Sequence, residues 1–202
     1  KVSSFDCASF KLIDELANSN FNRLIISTGA TYDREIEKTV NILKKRNQKF
    51  TLLHCISIYP TPLEEAHLNR IAYLKKLNND VGISDHSNYD LDGPKLSLAA
   101  VYFGATTVEK HFTLLDKSKT KDGVVSVNPS ELKELVKLCK ASKNDQKKYI
   151  EDNIPELEKI MLGSSNRELS DIELLNRDYY QGRFASFNNK DIPIFNWQDT
   201  KF

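Results

Sequence analysis

The sequence predicts an α/β protein built on parallel strands, and three observations carry that prediction. Short β-branched and aromatic runs alternate with helical patterns, no glycine fingerprint of a nucleotide fold accompanies them, and polar residues gather at the C-terminal ends of several strands. The strand candidates are Val2–Cys7, Arg23–Ser27, Phe50–Cys55, Val81–Ser84 and Thr106–Phe112. Their starts lie 21, 27, 31 and 25 residues apart. A βα unit of a closed eight-stranded barrel averages about 31 residues, so the spacing suits repeated units of that kind.

The segments between the strands read as helices. Asp33–Arg46 places Ile36, Val40 and Leu43 on one face and charges on the other. Leu63–Leu77 follows Pro60 and Pro62 and aligns Leu68, Ile71 and Leu74, which puts His67 mid-helix on the surface. Pro94–Phe103 stops at Gly104, a residue suited to the C′ position. Asn128, Pro129, Ser130 and Glu131 make a compact helix start, and Leu132, Leu135, Val136 and Cys139 continue it as an apolar stripe. Strand–helix repetition by right-handed crossovers fits an open doubly wound sheet or an arc of a barrel. Polar strand ends are where a barrel builds its active site, so a partial (β/α)8 TIM barrel of about five C-terminal βα units is expected over residues 1–162.

From residue 144 onward the pattern weakens. Lys143–Lys148 reads as a solvated charge run, Ile154–Leu162 as a short helix ending near Gly163, and Arg183–Phe202 as aromatic, Asn-rich and aperiodic. Residues 163–202 are therefore expected to be a linker-like tail. Lys1 runs straight into a strand-like segment without a cap or an initiator Met, so the chain reads as though it starts inside a domain.

Composition narrows the function. With 202 residues, 28% charged and a net charge of +1, the chain lacks the basic excess of a nucleic-acid binder or of a protein drawn to anionic membranes. No apolar run reaches the roughly 18–20 residues of a membrane span. Cys7, Cys55 and Cys139 form no CxxC pair and no even set, which fits small core residues in a reducing cytoplasm.

The strands end in Ser4-Phe5-Asp6, Ser27-Thr28-Gly29, His54 to Tyr59, Ser84-Asp85-His86-Ser87 and Glu109-Lys110-His111-Phe112. Hydroxyls and a lysine suit a phosphate or carboxylate. Two imidazoles from adjacent strands suit a divalent metal with open positions, and a neighbouring carboxylate can take a proton. Each has a bland alternative: a strand-end serine is usually structural, and His54 inside its apolar run is a satisfied interior residue. Of the four histidines, only His86 and His111 sit at strand ends beside acids.

Three segments together resemble the sialic acid synthase family: His54 to Pro62, Gly82 to Ser87, and Gly104 to Leu114. The resemblance continues through Lys121-Asp122-Gly123 and Ser126 to Pro129, and back through Ile26 to Gly29 and Lys1 to Cys7, covering about residues 1–140. The family comprises N-acetylneuraminate, legionaminate and pseudaminate synthases and a spore-coat polysaccharide relative. The resemblance implies a TIM-barrel enzyme that condenses phosphoenolpyruvate with an N-acetylated amino sugar, N-acetylmannosamine or a related one. The products are a nonulosonic acid and free phosphate. It further implies a divalent metal, manganese first, with magnesium and cobalt as alternatives, and a homodimer in the full-length protein.

Carried over by position, His86 and His111 match the metal-binding histidines, and Glu109 an active-site carboxylate near the metal. Lys1, Ser4, Ser27, Ser57 and Ser84 fall where the family holds phosphoenolpyruvate, and Asp6, Tyr59 and Asp122 where it contacts the amino sugar. Asp122 and Glu109 are the expected catalytic acids. Ser57 stands where some members have Asn, and Asp6 where neuraminate synthases have Glu. The Asn88–Lys95 segment is longer than in close relatives, and only the acid of a Gly-Pro-Asp survives at Asp122. Three family strands, bearing a catalytic Glu and a phosphate-binding Lys, have no counterpart here. Arg177, Arg183 and Phe184 to Trp197 resemble only the linker and opening of the family's antifreeze-protein-like C-terminal domain. The chain by itself is therefore expected to be inactive. Two other readings remain: a non-catalytic remnant that binds an anion or partner, and a metal-dependent hydrolase using the same His/Asp cluster.

Overall fold

The structure, a computed structural model, describes residues 1–182, 185–187, 190–191 and 193–195. They fall in two compact units, residues 1–57 with 168–202, and residues 58–167.

The first unit opens with a short 3-10 helix, Ser4–Asp6, followed by α1 (Phe10–Asn18), β1 (Leu24–Ser27), α2 (Asp33–Lys45) and β2 (Phe50–Cys55). β1 and β2 pair in parallel, with register from Leu24↔Phe50 to Ser27↔Leu53. Every residue of β2 is buried, as expected of a parallel strand covered on both faces. Helices α1 and α2 pack together and are joined by a bidentate Arg46–Asp14 pair.

The expected first strand, Val2–Cys7, does not form. Val2 makes an isolated parallel bridge to Ile26, donating to the Ile25 carbonyl at 2.7 Å and accepting from the Ser27 amide at 3.2 Å. Beyond it the chain tightens because Ser3 Oγ donates to Asp6 at 2.7 Å and the Asp6 amide donates to the Ser3 carbonyl. Such local serine and aspartate bonds compete with a strand ladder. Helix α1, unmarked in the sequence reading, buries Ile13 and Ala17.

The second unit contains α3 (Asn69–Leu77), β3 (Val81–Asp85), α4 (Tyr89–Asp92), α5 (Lys95–Tyr102), β4 (Thr107–Phe112), β5 (Ser126–Val127), α6 (Pro129–Cys139), α7 (Lys143–Asn153) and α8 (Leu157–Met161). Its strands run parallel in the order β3-β4-β5. Strand β5 was not anticipated, since two residues carry no alternation to read. Helix α5 packs on β3 and β4, and its end is closed by Gly104 at φ 97°, as expected.

The predicted helix start at Asn128 is present in full. Asn128 Oδ1 accepts from the amides of Ser130 and Glu131, and Glu131 Oε2 accepts from the Asn128 amide. The charge run at Lys143 is solvated as expected, apart from buried Gln146, and forms the first turns of α7, capped by Ser142.

The expected continuous helix Leu63–Leu77 is split. Leu63–Glu65 is a 3-10 turn, and His67 lies at φ 44° rather than mid-helix. The break is stabilised by partners from later in the chain: the Leu68 and Asn69 amides donate to the carbonyls of Met161 and Leu162, and the Ser164 amide donates to His67 Nδ1. His67 is thus a half-buried junction residue, with 22% of its side chain exposed.

Downstream lie α9 (Asp171–Gly182) and an antiparallel pair, β6 (Ala185–Phe187) with β7 (Pro193–Phe195). The tail expected from residue 163 therefore includes a three-turn helix, and residues 168–202 group with residues 1–57. Arg183, Phe184 and Trp197, singled out from the sequence, fall outside the described residues.

Leu52, fully buried in β2, tests the core: Leu52→Ala is expected to cost about 2–5 kcal/mol in a denaturant titration. Leu91→Ala, at a site 79% exposed, should stay within about 0.5 kcal/mol.

Candidate functional site

Residues alternate sides along a strand, so Ser84 and His86 share one face of β3's end, and Glu109 and His111 share one face of β4. The register Ser84↔Glu109 brings these sets side by side. The two imidazole rings lie 5.3 Å apart between centroids at 68°, so they face the same space rather than opposite faces. Tyr59 completes the group. Its ring stacks on His86 at 4.1 Å, and its hydroxyl lies 3.0 Å from His86 Nε2.

Ser84 Oγ donates to Glu109 Oε1 at 2.6 Å and lies 3.4 Å from His86 Nε2. With Glu109 ionised, the single proton of Ser84 is committed to that carboxylate, and toward His86 the hydroxyl can only accept. Asp122 Oδ2 is 3.8 Å from His111 Nδ1, and its side chain is 51% exposed. Tyr59, Ser84, His86, Glu109, His111 and Asp122, all named from the sequence, are therefore brought together within the second unit.

The opposite face of the same strands holds what the sequence reading misplaced. Asp85 and Lys110, taken as polar strand-end groups beside the histidines, point away from them and pair with each other. Lys110 Nζ lies 2.9 Å from Asp85 Oδ1, with both side chains 2% exposed. The ammonium also donates to the Ser87 carbonyl at 2.7 Å. Asp85 accepts from the Ser87 amide and hydroxyl at 2.8 and 2.7 Å and from Ser97 Oγ at 2.5 Å. Burial pushes the Asp85 carboxyl upward, but the Lys110 ammonium and the Ser97 and Ser87 hydrogen bonds outweigh it and hold the group below its usual range. Period-two alternation around His86 and His111 was the signal that could have located this pair.

The first unit gathers a different set. Ser4 Oγ accepts from the Gly29 amide at 3.2 Å and lies 3.5 Å from Cys55 Sγ. A Cβ at Gly29 would stand 2.5 Å from Ser57 Oγ, 2.9 Å from Cys55 Sγ and 2.9 Å from Ser4 Oγ, so only glycine lets these hydroxyls converge there. Ser27 Oγ is buried without a hydrogen-bond partner. Asp6 is half-buried and accepts from Ser3, and Lys1 is exposed. Cys7 and Cys55 are buried, and burial pushes the Cys7 thiol up to about 12, which makes it inert at neutral pH.

Against known proteins, the model of the NeuB family matches residues 1–151. The chain belongs to the NeuB family. It is 37% identical to N,N'-diacetyllegionaminic acid synthase of Campylobacter jejuni over 73% of the chain and 47% of that protein. It is 32% identical to pseudaminic acid synthase of the same species over 99% of the chain and 56% of that protein. Among solved structures, N-acetylneuraminic acid synthetase of Leptospira borgpetersenii, crystallised with citrate, matches with a TM-score of 0.64 at 31% identity. That match covers 88% of this chain and 55% of the other. The spore coat polysaccharide biosynthesis protein SpsE of Bacillus subtilis matches with a TM-score of 0.71 at 25% identity, covering 89% and 49%. This NeuB-family chain thus spans about half the length of the relatives it matches. They support an α/β fold on five parallel strands.

Lys110→Met leaves the Asp85 charge uncompensated in the interior and is expected to cost about 3–5 kcal/mol of stability in urea unfolding. Because the folded carboxyl of Asp85 titrates below the unfolded value of 3.8, its stabilisation is fully present above that value. It is lost as pH falls through the lower folded value, so the stability gap between wild type and Lys110→Met should be widest near neutral pH and narrow as pH falls below 3.8.

Proposed function

We propose that the protein carrying this chain condenses phosphoenolpyruvate with an N-acetylated amino sugar to give a nonulosonic acid and phosphate. The observation that carries the reading is the apposition of His86 and His111 with Tyr59, Ser84 and Glu109 at the ends of β3 and β4. Among the described residues no group of three or more His, Cys, Asp or Glu is close enough to cage a metal. The pair of imidazoles at His86 and His111 is what an open site for a divalent ion would use. Manganese fits this donor set, and magnesium and cobalt are the alternatives.

Held by His86 and His111, such an ion would polarise the open-chain aldehyde of the sugar. Tyr59 Oη holds His86 Nε2 in place and offers the sugar a hydroxyl. Glu109, supported by Ser84, is placed to take a proton, and exposed Asp122 to contact the sugar. In the reaction the methylene carbon of phosphoenolpyruvate bonds to the aldehyde carbon. Water adds at the phosphate-bearing carbon, and phosphate leaves with cleavage of its C–O bond. In the first unit, the hydroxyls of Ser4 and Ser57 around Gly29, with partnerless Ser27 Oγ, suit the anionic end of phosphoenolpyruvate. Lys1 would add charge there, and Asp6 would meet the sugar. Three free cysteines support a cytoplasmic setting. No helix among the described residues is long and apolar enough to cross a membrane.

The test has two arms. Manganese binding to the chain, followed by water-proton relaxation, should be lost in His86→Ala and His111→Ala and retained in His67→Ala. The chain, alone and expressed with its flanking coding sequence, should then be assayed with manganese, phosphoenolpyruvate and N-acetylmannosamine or a related sugar. Phosphate release that needs both substrates and vanishes in His111→Ala is expected of the extended form and not of the chain alone. Phosphate release without sugar would point to the hydrolase, and metal or anion binding without turnover in either form to the non-catalytic remnant.

A further inference from the structure

The segment after residue 163 looks like a linker in the sequence, yet α9 directs three polar side chains back onto the loops that follow β1 and β2. Glu173, 1% exposed, accepts from the Ser57 amide through Oε1 at 3.2 Å. Its other oxygen accepts from the Ser170 amide at 3.3 Å. One turn on, Asn176 Nδ2 donates to the Ser57 carbonyl at 2.9 Å. Both backbone groups of Ser57 are thus held by one helix. Arg177 fixes the neighbouring loop, donating to the Ala30 carbonyl at 2.7 Å and gripping Glu35 at 2.6 and 3.0 Å.

Holding Ser57 in this way has a consequence for its side chain. Ser57 Oγ is the atom nearest the position a Gly29 Cβ would take, beside Ser4 Oγ. Ser57 lies two residues past the end of β2, where no strand ladder fixes its peptide. A hydroxyl on an untethered loop contributes little to anion binding, because its ordering entropy offsets the hydrogen bond.

We propose that Glu173 and Asn176 are positioning residues for the anionic substrate, clamping the Ser57 peptide so that its hydroxyl is preset toward phosphoenolpyruvate. This rests on the function proposed above. The clamp makes α9 a part of the binding site's support rather than a spacer. The Ser57 amide is one of the donors that offset the burial of the Glu173 carboxylate.

The experiment measures phosphoenolpyruvate binding to the full chain by calorimetry for the wild type, Glu173→Gln, Asn176→Leu, Ser57→Ala and the double variant Asn176→Leu/Ser57→Ala. Manganese binding and hydrogen exchange at the Ser57 amide are read on the same samples. The single clamp variants should weaken phosphoenolpyruvate binding roughly tenfold, speed exchange at Ser57 and leave manganese affinity unchanged. The double variant should be no weaker than Ser57→Ala, since the clamp acts through that hydroxyl. Should Glu173→Gln fail to fold, half-buried Asn176 decides by itself. Wild-type binding with unaltered clamp variants, or equal loss of manganese and phosphoenolpyruvate, overturns the inference while the function stands. A wild type that binds no phosphoenolpyruvate overturns the proposed substrate and the inference with it.

Discussion

The ion pair between Lys110 and Asp85 is the constraint on which the second unit's site depends. Two charges removed from water lose several kcal/mol of hydration each, and their attraction repays this only with good geometry and saturated hydrogen bonds. Here the carboxylate accepts from the Ser87 amide and hydroxyl and from Ser97, and the ammonium finds Asp85 and the Ser87 carbonyl. The pair sits at the register position Asp85↔Lys110. Slipping β4 by one residue would part the charges and turn His111 and Glu109 to the wrong face. The face that holds the buried pair therefore determines the alignment of the face that holds the two histidines.

On the reactive face the composition is deliberate in a different way. Tyr59, Ser84 and the two imidazoles supply neutral donors and acceptors, and Glu109 and Asp122 add negative charge at opposite sides. Lys110, the nearest cation in sequence, is neutralised on the far side of the strand.

Much of this was legible in the sequence, and the failures have identifiable causes. Phe50–Cys55 was read to the residue because a continuous apolar run has few alternative structures, and the Asn128 start because its capping side chains act locally. The pattern Ser84-x-His86 with Glu109-x-His111 gave the reactive cluster, since period two is a property of the strand itself. Val2–Cys7 was missed because Ser3 and Asp6 bond to each other and to backbone, and the helix break at His67 because its partners, Met161 to Ser164, lie far along the chain. Helix α9 was obscured for the same reason. Its burial of Glu173 is unusual for a carboxylate, and it is supported by the Ser57 and Ser170 amides rather than by any periodic signal.

The two clusters of candidate residues illustrate different ways to hold a side chain still. His86 and His111 emerge from or directly after paired strands, so ladder hydrogen bonds and the Asp85–Lys110 pair fix their backbone, and Tyr59 steadies the His86 ring. Ser4 stands in a 3-10 turn, Gly29 in a loop and Ser57 beyond a strand end, where the backbone has no ladder. Loop residues gain reach around an anion but lose definition, and definition must come from side chains that satisfy the loop's free amides and carbonyls. Thr31 Oγ1 on the Ser4 carbonyl and the α9 residues on Ser57 each do this. The same physics accounts for the uneven legibility of the site. Groups fixed by a ladder follow a short-range period, whereas groups fixed by distant side chains follow none.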